Sequence, residues 1–303
     1  METKAGFVTI IGKPNVGKST LMNALLGERL SIITNKPQTT RKRILGILSD
    51  EETQIIFLDT PGILDPSYLL QEKMVDYIIN SAKDADVLLY LFDVNEKLPS
   101  FETEEQEELI KILKKKRIKK IAVLNKMDLS KQEDAELKIK ELESLNLFDQ
   151  IITISALVNF NVDALLQLIK KYLPAHPKYY PDDQLTDEPE KFFVSEIIRE
   201  KIFEKYQDEI PYSTEVLIEE FKEREGRKDF IRAAIIVERD SQKPIIIGKR
   251  GDAIKRVGKI AREAIEEFLQ RDVYLELQVK VKSKWRSNPQ QLKNFGYTTG
   301  DEK

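Results

Sequence analysis

The sequence has no cysteine and a single histidine, His176, among its 303 residues. The lack of cysteine excludes disulfides, cysteine-ligated zinc, iron–sulfur clusters and thiol catalysis, and one histidine excludes a multi-histidine metal site. No segment approaches the ~20 apolar residues that span a bilayer. The N-terminal segment also lacks the apolar run and cleavage site of a signal peptide. These absences predict a soluble cytoplasmic protein.

An excess of positive charge is also missing, since 49 Lys and Arg face 52 Asp and Glu for a net charge of −3. The charges are unevenly distributed, however. Residues 241–293 carry a net charge of +7, and the rest of the chain carries −10. A basic segment of this kind is the electrostatic signature of a nucleic-acid partner.

Apolar segments and amphipathic segments alternate over the first ~175 residues. Such alternation predicts an α/β domain with a doubly wound, mostly parallel sheet. The predicted strands cover residues 6–11, 43–47, 54–59, 87–92, 120–125 and 151–155, with the second and third forming a hairpin. The predicted helices cover residues 19–26, 101–116, 131–145 and 162–173.

A stretch with four prolines and many acidic residues, 173–190, predicts a linker. After it, the pattern changes to helix 193–206, strands 214–221 and 231–238, a turn with helix 248–269, and strand 273–281. We therefore expect domains at 1–178 and 191–303 joined by a linker at 179–190, the second domain being a small α+β fold.

Residues 12–19 read GKPNVGKS and match the phosphate-binding pattern G-x-x-x-x-G-K-[ST]. Gly12 and Gly17 let the backbone wrap a phosphate chain, Lys18 reaches the β- and γ-phosphates, and the Ser19 hydroxyl ligates Mg²⁺. The order of strand, loop and helix disfavours the alternative of an ordinary glycine turn. The predicted nucleotide contacts in this segment also include Asn15, Val16 and Thr20.

Two further motifs follow predicted strands. In Asp-Thr-Pro-Gly at 59–62, Asp59 is a candidate Mg²⁺ ligand and the Gly62 N–H a candidate γ-phosphate contact. In Asn-Lys-Met-Asp at 125–128, the Asp128 carboxylate can accept two hydrogen bonds from guanine that adenine cannot donate. This predicts GTP, with ATP as the alternative.

The remaining candidate contacts to the base lie around these motifs. Asn125 and Lys126 support the base, Ser155 and Ala156 close over it, and the Ala156 N–H points toward guanine O6.

The motif set resembles the Ras-like P-loop GTPases, and the forms GKPNVGKS and DTPG are similar to those of the bacterial ribosome-assembly branch. The resemblance implies that Thr40, in Gln-Thr-Thr-Arg at 38–41, ligates Mg²⁺ in preference to Thr39. Ile63 stands where Ras-like enzymes carry the glutamine that orients water. The resemblance also implies that Asn15 holds a K⁺ ion. The alternative is that Asn15 is an ordinary turn residue. The catalytic candidates are thus Asn15, Lys18, Thr40 and Gly62.

A second candidate site lies in residues 245–251, IIIGKRG, which predict a GxxG loop after the end of an apolar strand and before a helix. Glycines at both ends allow close approach to a sugar-phosphate backbone, while Lys249 and Arg250 supply positive charge. The candidate RNA-binding residues are Gly248, Lys249, Arg250, Gly251, Lys255, Lys282 and Trp285. For Trp285, stacking on a base and packing in the core remain equal alternatives.

A Ras-like domain followed by this KH-like domain resembles the Era family of GTPases. The resemblance implies a type II KH fold, GTP/GDP and Mg²⁺ as ligands, and binding to the 3′ end region of 16S rRNA in maturation of the 30S subunit. The resemblance also implies association with the inner membrane. Because the sequence shows no membrane anchor, we expect any such contact to be peripheral. The alternative function is a nucleotide-regulated RNA-binding scaffold in which hydrolysis is incidental.

Overall fold

Six strands of the N-terminal half form one sheet in a computed structural model, which describes residues 3–99 and 107–298. The spatial order is β2-β3-β1-β4-β5-β6, and all neighbours are parallel except the β2–β3 hairpin. The strands are β1 Lys4–Gly12, β2 Ile44–Ser49, β3 Thr53–Asp59, β4 Val87–Asp93, β5 Lys119–Asn125 and β6 Gln150–Thr153. Every residue of β3 and β4 is buried, as in strands covered on both faces.

In the described part of the chain, four α-helices connect these strands: α1 Lys18–Leu26, α2 Leu69–Asp84, α3 Glu107–Leu113 and α4 Gln132–Ser144. Helix α5, Val162–Tyr172, follows β6. Because the parallel strands point the same way, the loops after β1, β3 and β5 meet at one edge of the sheet. The phosphate-loop, DTPG and NKMD motifs occupy these three loops. The doubly wound α/β fold is therefore confirmed.

The chain divides into two compact units, residues 1–67 with 71–187 and residues 68–70 with 188–303. The second unit contains α6 Glu190–Lys205, β7 Glu215–Lys222, β8 Asp229–Val237, α7 Gln242–Ile247, α8 Asp252–Leu269, β9 Val273–Val281 and α9 Pro289–Asn294. Its sheet has the order β7-β8-β9, with β8 antiparallel to β7 and parallel to β9.

The core of the second unit lies between this sheet and two helices. Helix α8 buries Val257, Ala261 and Ile265 at four-residue spacing, which is one face of a helix. They pack in one cluster with Val194, Ile198 and Ile202 of α6. The α+β architecture of a KH domain is confirmed.

The expected strand end before the GxxG loop is wrong, because residues 242–247 form helix α7. A short apolar run does not distinguish a strand from a helix. Here the side chain of Gln242 accepts hydrogen bonds from the N–H groups of Glu238 and Arg239 at the helix start. Pro244 lies in the first turn, where its missing N–H costs nothing.

Helices α2 and α9 have no counterpart among the predicted elements. Of the predicted helix 101–116, residues 107–113 are helical, and residues 101–106 lie outside the described part of the chain. Among the described residues, no helix has the length and apolar character needed to cross a membrane.

Candidate functional site

The phosphate loop folds as its sequence requires. Gly17 caps α1 with φ +99, and a Cβ there would lie 2.4 Å from Nδ2 of Asn125. Only glycine therefore allows the phosphate loop and the NKMD loop to touch. The side chain of Lys18 turns back into the loop, where Nζ donates to the carbonyl oxygens of Gly12 (3.0 Å) and Lys13 (2.8 Å).

Three side chains proposed as Mg²⁺ ligands lie together. The Ser19 hydroxyl donates to Oδ2 of Asp59 at 2.7 Å and lies 3.1 Å from the Thr40 hydroxyl. The other carboxylate oxygen of Asp59 is buried and has no hydrogen-bond partner in the described part of the chain. Such a buried, unsatisfied oxygen beside two hydroxyls matches the all-oxygen donor set that Mg²⁺ prefers.

Burial shifts the pKa values of Lys18 and Asp59 in this cluster. It lowers the pKa of the Lys18 amine to about 8, because the charged form is poorly solvated there, while Asp59 acts in the opposite direction. Burial also raises the pKa of Asp59, against the effects of Lys18 and Ser19. For both groups the effect of burial on the pKa thus exceeds the opposing effect of the other group's charge.

The two threonines of 38–41 point into different environments. Thr40 is the one beside Ser19, whereas the Thr39 hydroxyl lies 2.7 Å from that of Thr34 and donates to the carbonyl of Lys36 at 2.8 Å. This geometry favours Thr40 as the metal ligand. Asn15 is exposed, and its Nδ2 donates to the carbonyl of Asn35 at 3.1 Å.

Gly62 lies directly against the phosphate loop, since a Cβ on it would be 2.7 Å from the nitrogen of Pro14. The next residue is tied to the same loop, because the N–H of Ile63 donates to the carbonyl of Gly12 at 3.0 Å. The Ile63 side chain packs against the core cluster between β4 and α3. It therefore offers no polar group to an attacking water.

The base end of the site is built by Asn125 and Asp128. Nδ2 of Asn125 donates to the carbonyl of Val16 at 2.8 Å, and the Ser155 hydroxyl donates to Oδ1 of Asp128 in a short hydrogen bond. The contact expected from Ala156 is different, because its N–H donates to Oδ1 of Asn125 at 2.9 Å. In this structure the N–H braces Asn125, and its contact with guanine O6 stays a prediction.

Lys126 lies beside these residues with φ +66, and its Nζ forms an ion pair with Asp93 at 2.7 Å. The pair fixes the side chain at the rim of the site.

These groups border a cavity of about 400 Å³. Its lining includes eleven of the predicted residues: Asn15, Gly17, Lys18, Ser19, Thr20, Thr40, Gly62, Asn125, Lys126, Asp128 and Ser155. The predicted residues Gly12, Val16, Asp59 and Ala156 are buried behind this lining.

Sequence reasoning missed part of the wall, namely the segment 32–36 and the exposed side chains Leu129 and Leu157. Their only sequence signal is position next to a motif, as for Leu129 after Asp128 and Leu157 after Ala156.

The GxxG segment forms a tight turn between α7 and α8. Gly248 and Gly251 have φ of +73 and +83, and a Cβ on Gly248 would lie 2.6 Å from Cβ of Ala253. Lys249 and Arg250, between them, are exposed. The turn therefore exposes the cationic side chains of Lys249 and Arg250 at the surface.

The other candidate RNA contacts differ in exposure. Lys255 is exposed on α8. Lys282 is half-buried, and its Nζ donates to Oε1 of Gln291 at 3.0 Å and lies 5.0 Å from the ring centroid of Phe295. Trp285 is 0% exposed, and its indole N–H donates to the carbonyl of Ser213 at 2.9 Å. Since no ring face is open, the base-stacking alternative for Trp285 is wrong and the core alternative holds.

A basic run at 114–120 follows α3 and continues into β5. Lys119 and Lys120 approach Asp149 at 3.6 and 3.7 Å, and the Arg117 guanidinium donates to the carbonyl of Lys83 at 3.2 Å. The Arg117 contact lies at the C-terminal end of α2, whereas the two lysines belong to β5 and face Asp149 beside β6.

Comparison with known proteins gives two family matches. A model described as "50S ribosome-binding GTPase" matches residues 7–126, and a KH-domain model matches residues 209–286. The GTPase Era of Geotalea daltonii is 45% identical over 293 residues, covering 97% of each chain. The GTPase Era of Clostridium beijerinckii is 44% identical over 300 residues, covering 99% of each.

Two solved structures are similar over nearly the whole chain. One is a variant of Aquifex aeolicus Era bound to GDP and AlF4⁻, with a TM-score of 0.91 and 42% identity over 98% of this chain and 100% of that one. The other is Era in complex with MgGDPNP and nucleotides 1506–1542 of 16S ribosomal RNA, with a TM-score of 0.91 and 41% identity over 98% and 99% of the two chains.

Proposed function

Because the chain belongs to the Era family of GTPases, we propose that it is a GTP switch that binds the 3′ end region of 16S rRNA and acts in assembly of the small (30S) ribosomal subunit. The observation that carries the proposal is the presence of two sites in one chain. A nucleotide cavity holds a Mg²⁺-type donor set, and the second unit exposes a Gly-Lys-Arg-Gly turn. The similar protein solved with both MgGDPNP and rRNA supports this pairing.

The small subunit is favoured because its RNA is the one in that complex. The description of the matching GTPase-domain model names the large subunit, but that model covers residues 7–126 alone and omits the KH domain. Co-sedimentation with purified 30S and 50S subunits tests the assignment, and preference for 50S particles would contradict it.

Each residue of the nucleotide site has a task in hydrolysis. Ser19, Thr40 and Asp59 would hold Mg²⁺, which neutralises charge on the β- and γ-phosphates when bound. Lys18, whose Nζ lies in the phosphate loop against the carbonyls of Gly12 and Lys13, would bind the β- and γ-phosphates. The Gly62 N–H would contact the γ-phosphate. With Ile63 in the core cluster, the attacking water must be oriented by other groups.

Asn15 is the proposed ligand of a K⁺ ion beside the phosphates. Its exposure leaves the side chain accessible from the cavity that it helps to line. Hydrolysis rates in K⁺ and in Na⁺ test this role, and equal rates would contradict it.

Guanine selection by Asp128 gives a direct test of the nucleotide. Replacing Asp128 with Asn exchanges an acceptor for a donor, so we expect GTP affinity to fall by about 100-fold or more and xanthosine triphosphate to become the better ligand. Titration of the purified protein with both nucleotides measures this change. The variant Asp134→Asn makes the same chemical change on the exposed face of α4 and should leave both affinities unaltered.

The RNA part of the proposal is tested separately. A fragment of the rRNA 3′ end should bind more tightly with a GTP analogue than with GDP, and it should change the hydrolysis rate. Tight binding that is indifferent to nucleotide would favour the scaffold function instead. Because it would act on ribosomal RNA, we propose a cytoplasmic location, with any association with the inner membrane being peripheral.

A further inference from the structure

The chain segment 175–187, called the strap below, lies along the outer edge of strand β2. Because β2 is an edge strand, its outward N–H and C=O groups need other partners. The strap supplies them. The N–H of Ile47 donates to the carbonyl of Leu185 at 2.8 Å, and the Thr186 hydroxyl donates to the carbonyl of Leu45 at 2.7 Å.

A buried glutamine holds the middle of the strap. Gln54 of β3 is 0% exposed, and its Oε1 accepts from the N–H groups of Tyr179 (2.7 Å) and Tyr180 (2.9 Å). Its Nε2 donates to the carbonyl of Tyr180 at 2.8 Å. The Tyr180 side chain packs against the apolar cluster of β2 and β3. The strap is therefore bound as part of the sheet, and it does not behave as a free tether.

The other end of β2 leads directly to the nucleotide. Its first residue, Ile44, follows Thr40 by four positions and is paired in register with Asp59. Thr40 and Asp59 are two of the proposed Mg²⁺ ligands. Strand β2 thus joins the metal cluster to the strap, and the strap ends at Asp187, next to Glu188, where the main segment of the second unit begins.

We propose that the strap senses the nucleotide state through β2. When Thr40 is held by the triphosphate complex, β2 is fixed and the strap bonds at Leu185 and Thr186 are kept. When Thr40 is released, β2 loosens its hold on the strap and changes RNA affinity through residues 188 onward. This inference rests on the proposed GTP switch and names the element that transmits it.

The variant Thr186→Val tests the transmission. Valine keeps the shape and removes one hydrogen bond to β2, so the ratio of RNA affinities with GTP analogue and GDP should fall by about threefold or more. RNA-free hydrolysis should stay unchanged. The matched control is Thr3→Val, which removes a hydroxyl bond to the carbonyl of His176 at the β1 end of the strap. An unchanged ratio in Thr186→Val, or an equal loss in both variants, would overturn the proposal.

Amide hydrogen exchange gives a readout that does not depend on RNA. The Ile47 N–H should exchange about threefold faster or more with GDP than with the GTP analogue. The Ala5 N–H, bonded to the carbonyl of Pro174 at 3.2 Å, should not respond. Equal exchange at Ile47 in both states would overturn the inference. If wild-type RNA affinity ignores the nucleotide, the proposed switch fails, and the exchange at Ile47 alone then decides whether the strap responds.

Discussion

Thr39 and Thr40 are neighbours in the chain but have different hydrogen-bond partners. Thr40 lies 3.1 Å from the Ser19 hydroxyl, while Thr39 holds its own loop through Thr34 and Lys36. Chemically identical substitutions at the two positions therefore separate metal binding from loop structure.

We expect Thr40→Ala to lower the GTP hydrolysis rate by about 10- to 100-fold, because it removes one oxygen from the metal cluster. GDP affinity should change little, since the γ-phosphate is absent. Single-turnover hydrolysis and GDP titration measure the two effects. Thr39→Ala is the control. An equal or larger loss of hydrolysis in that variant would contradict the assignment of Thr40 as the metal ligand.

Individual residues were predictable where a motif dictates their chemistry and less so where a contact is tertiary. Ser19 and Asp59 are 40 positions apart, yet both belong to motifs that follow neighbouring parallel strands, so their meeting was foreseeable. The bond from Ala156 to Asn125 and the burial of Trp285 depend on packing between distant segments. No local pattern reports such contacts.

At the scale of elements, the two glycines of the GxxG turn are not equivalent. Gly248 approaches Ala253 so closely that any side chain would displace the start of α8. At Gly251 the nearest atom to an added Cβ is Cε of Lys255, at 3.9 Å. A side chain at 251 would thus lie on the surface that RNA is proposed to contact, with the turn intact.

Gly251→Asp should weaken RNA binding by at least about tenfold relative to Gly251→Asn, because the added carboxylate repels the phosphates. Both residues tolerate a left-handed backbone, so each should cost about 1 kcal/mol of folding stability. RNA titration and urea unfolding test the pair. Equal RNA affinities for the Asp and Asn variants would remove Gly251 from the interface.

The element that sequence reasoning misassigned is α7, and the cause is physical. Ile245–Ile247 is a three-residue apolar run, which suits a strand or a helix equally. The helix is favoured over the strand by Gln242, whose side chain accepts hydrogen bonds from the preceding backbone, and by Pro244 in the first turn. Helix α8, with a regular apolar face over 18 residues, was foreseeable.

At the scale of the whole molecule, the strap is the feature least visible in the sequence. Its prolines and acidic residues indicate a linker, yet it is bonded to the sheet edge largely through backbone groups. The side chain that binds its centre, Gln54, stands in a strand where an isolated polar residue carries no long-range signal. The division into two units, in contrast, follows from the change in pattern after residue 173.

Residues 241–293 carry a net charge of +7, and the rest of the chain carries −10. We therefore expect RNA affinity to depend on salt through contacts made by the basic segment. If Lys249 and Arg250 contact phosphates, the double variant Lys249→Gln, Arg250→Gln should reduce the slope of log affinity against log salt by about 1.4, or 0.7 for each contact to a single strand. Titrations across a range of KCl concentrations measure this slope.

The matched control for net charge is the double variant Arg227→Gln, Lys228→Gln. These two cations are also adjacent and exposed, but they lie on the turn between β7 and β8, and Lys228 approaches Asp272 at 3.6 Å. Loss of the same two charges there should leave the slope unchanged, because the slope counts phosphates contacted and not total charge. Equal reductions in both double variants would mean that the total charge of the protein drives binding, and that the Gly-Lys-Arg-Gly turn does not position the RNA.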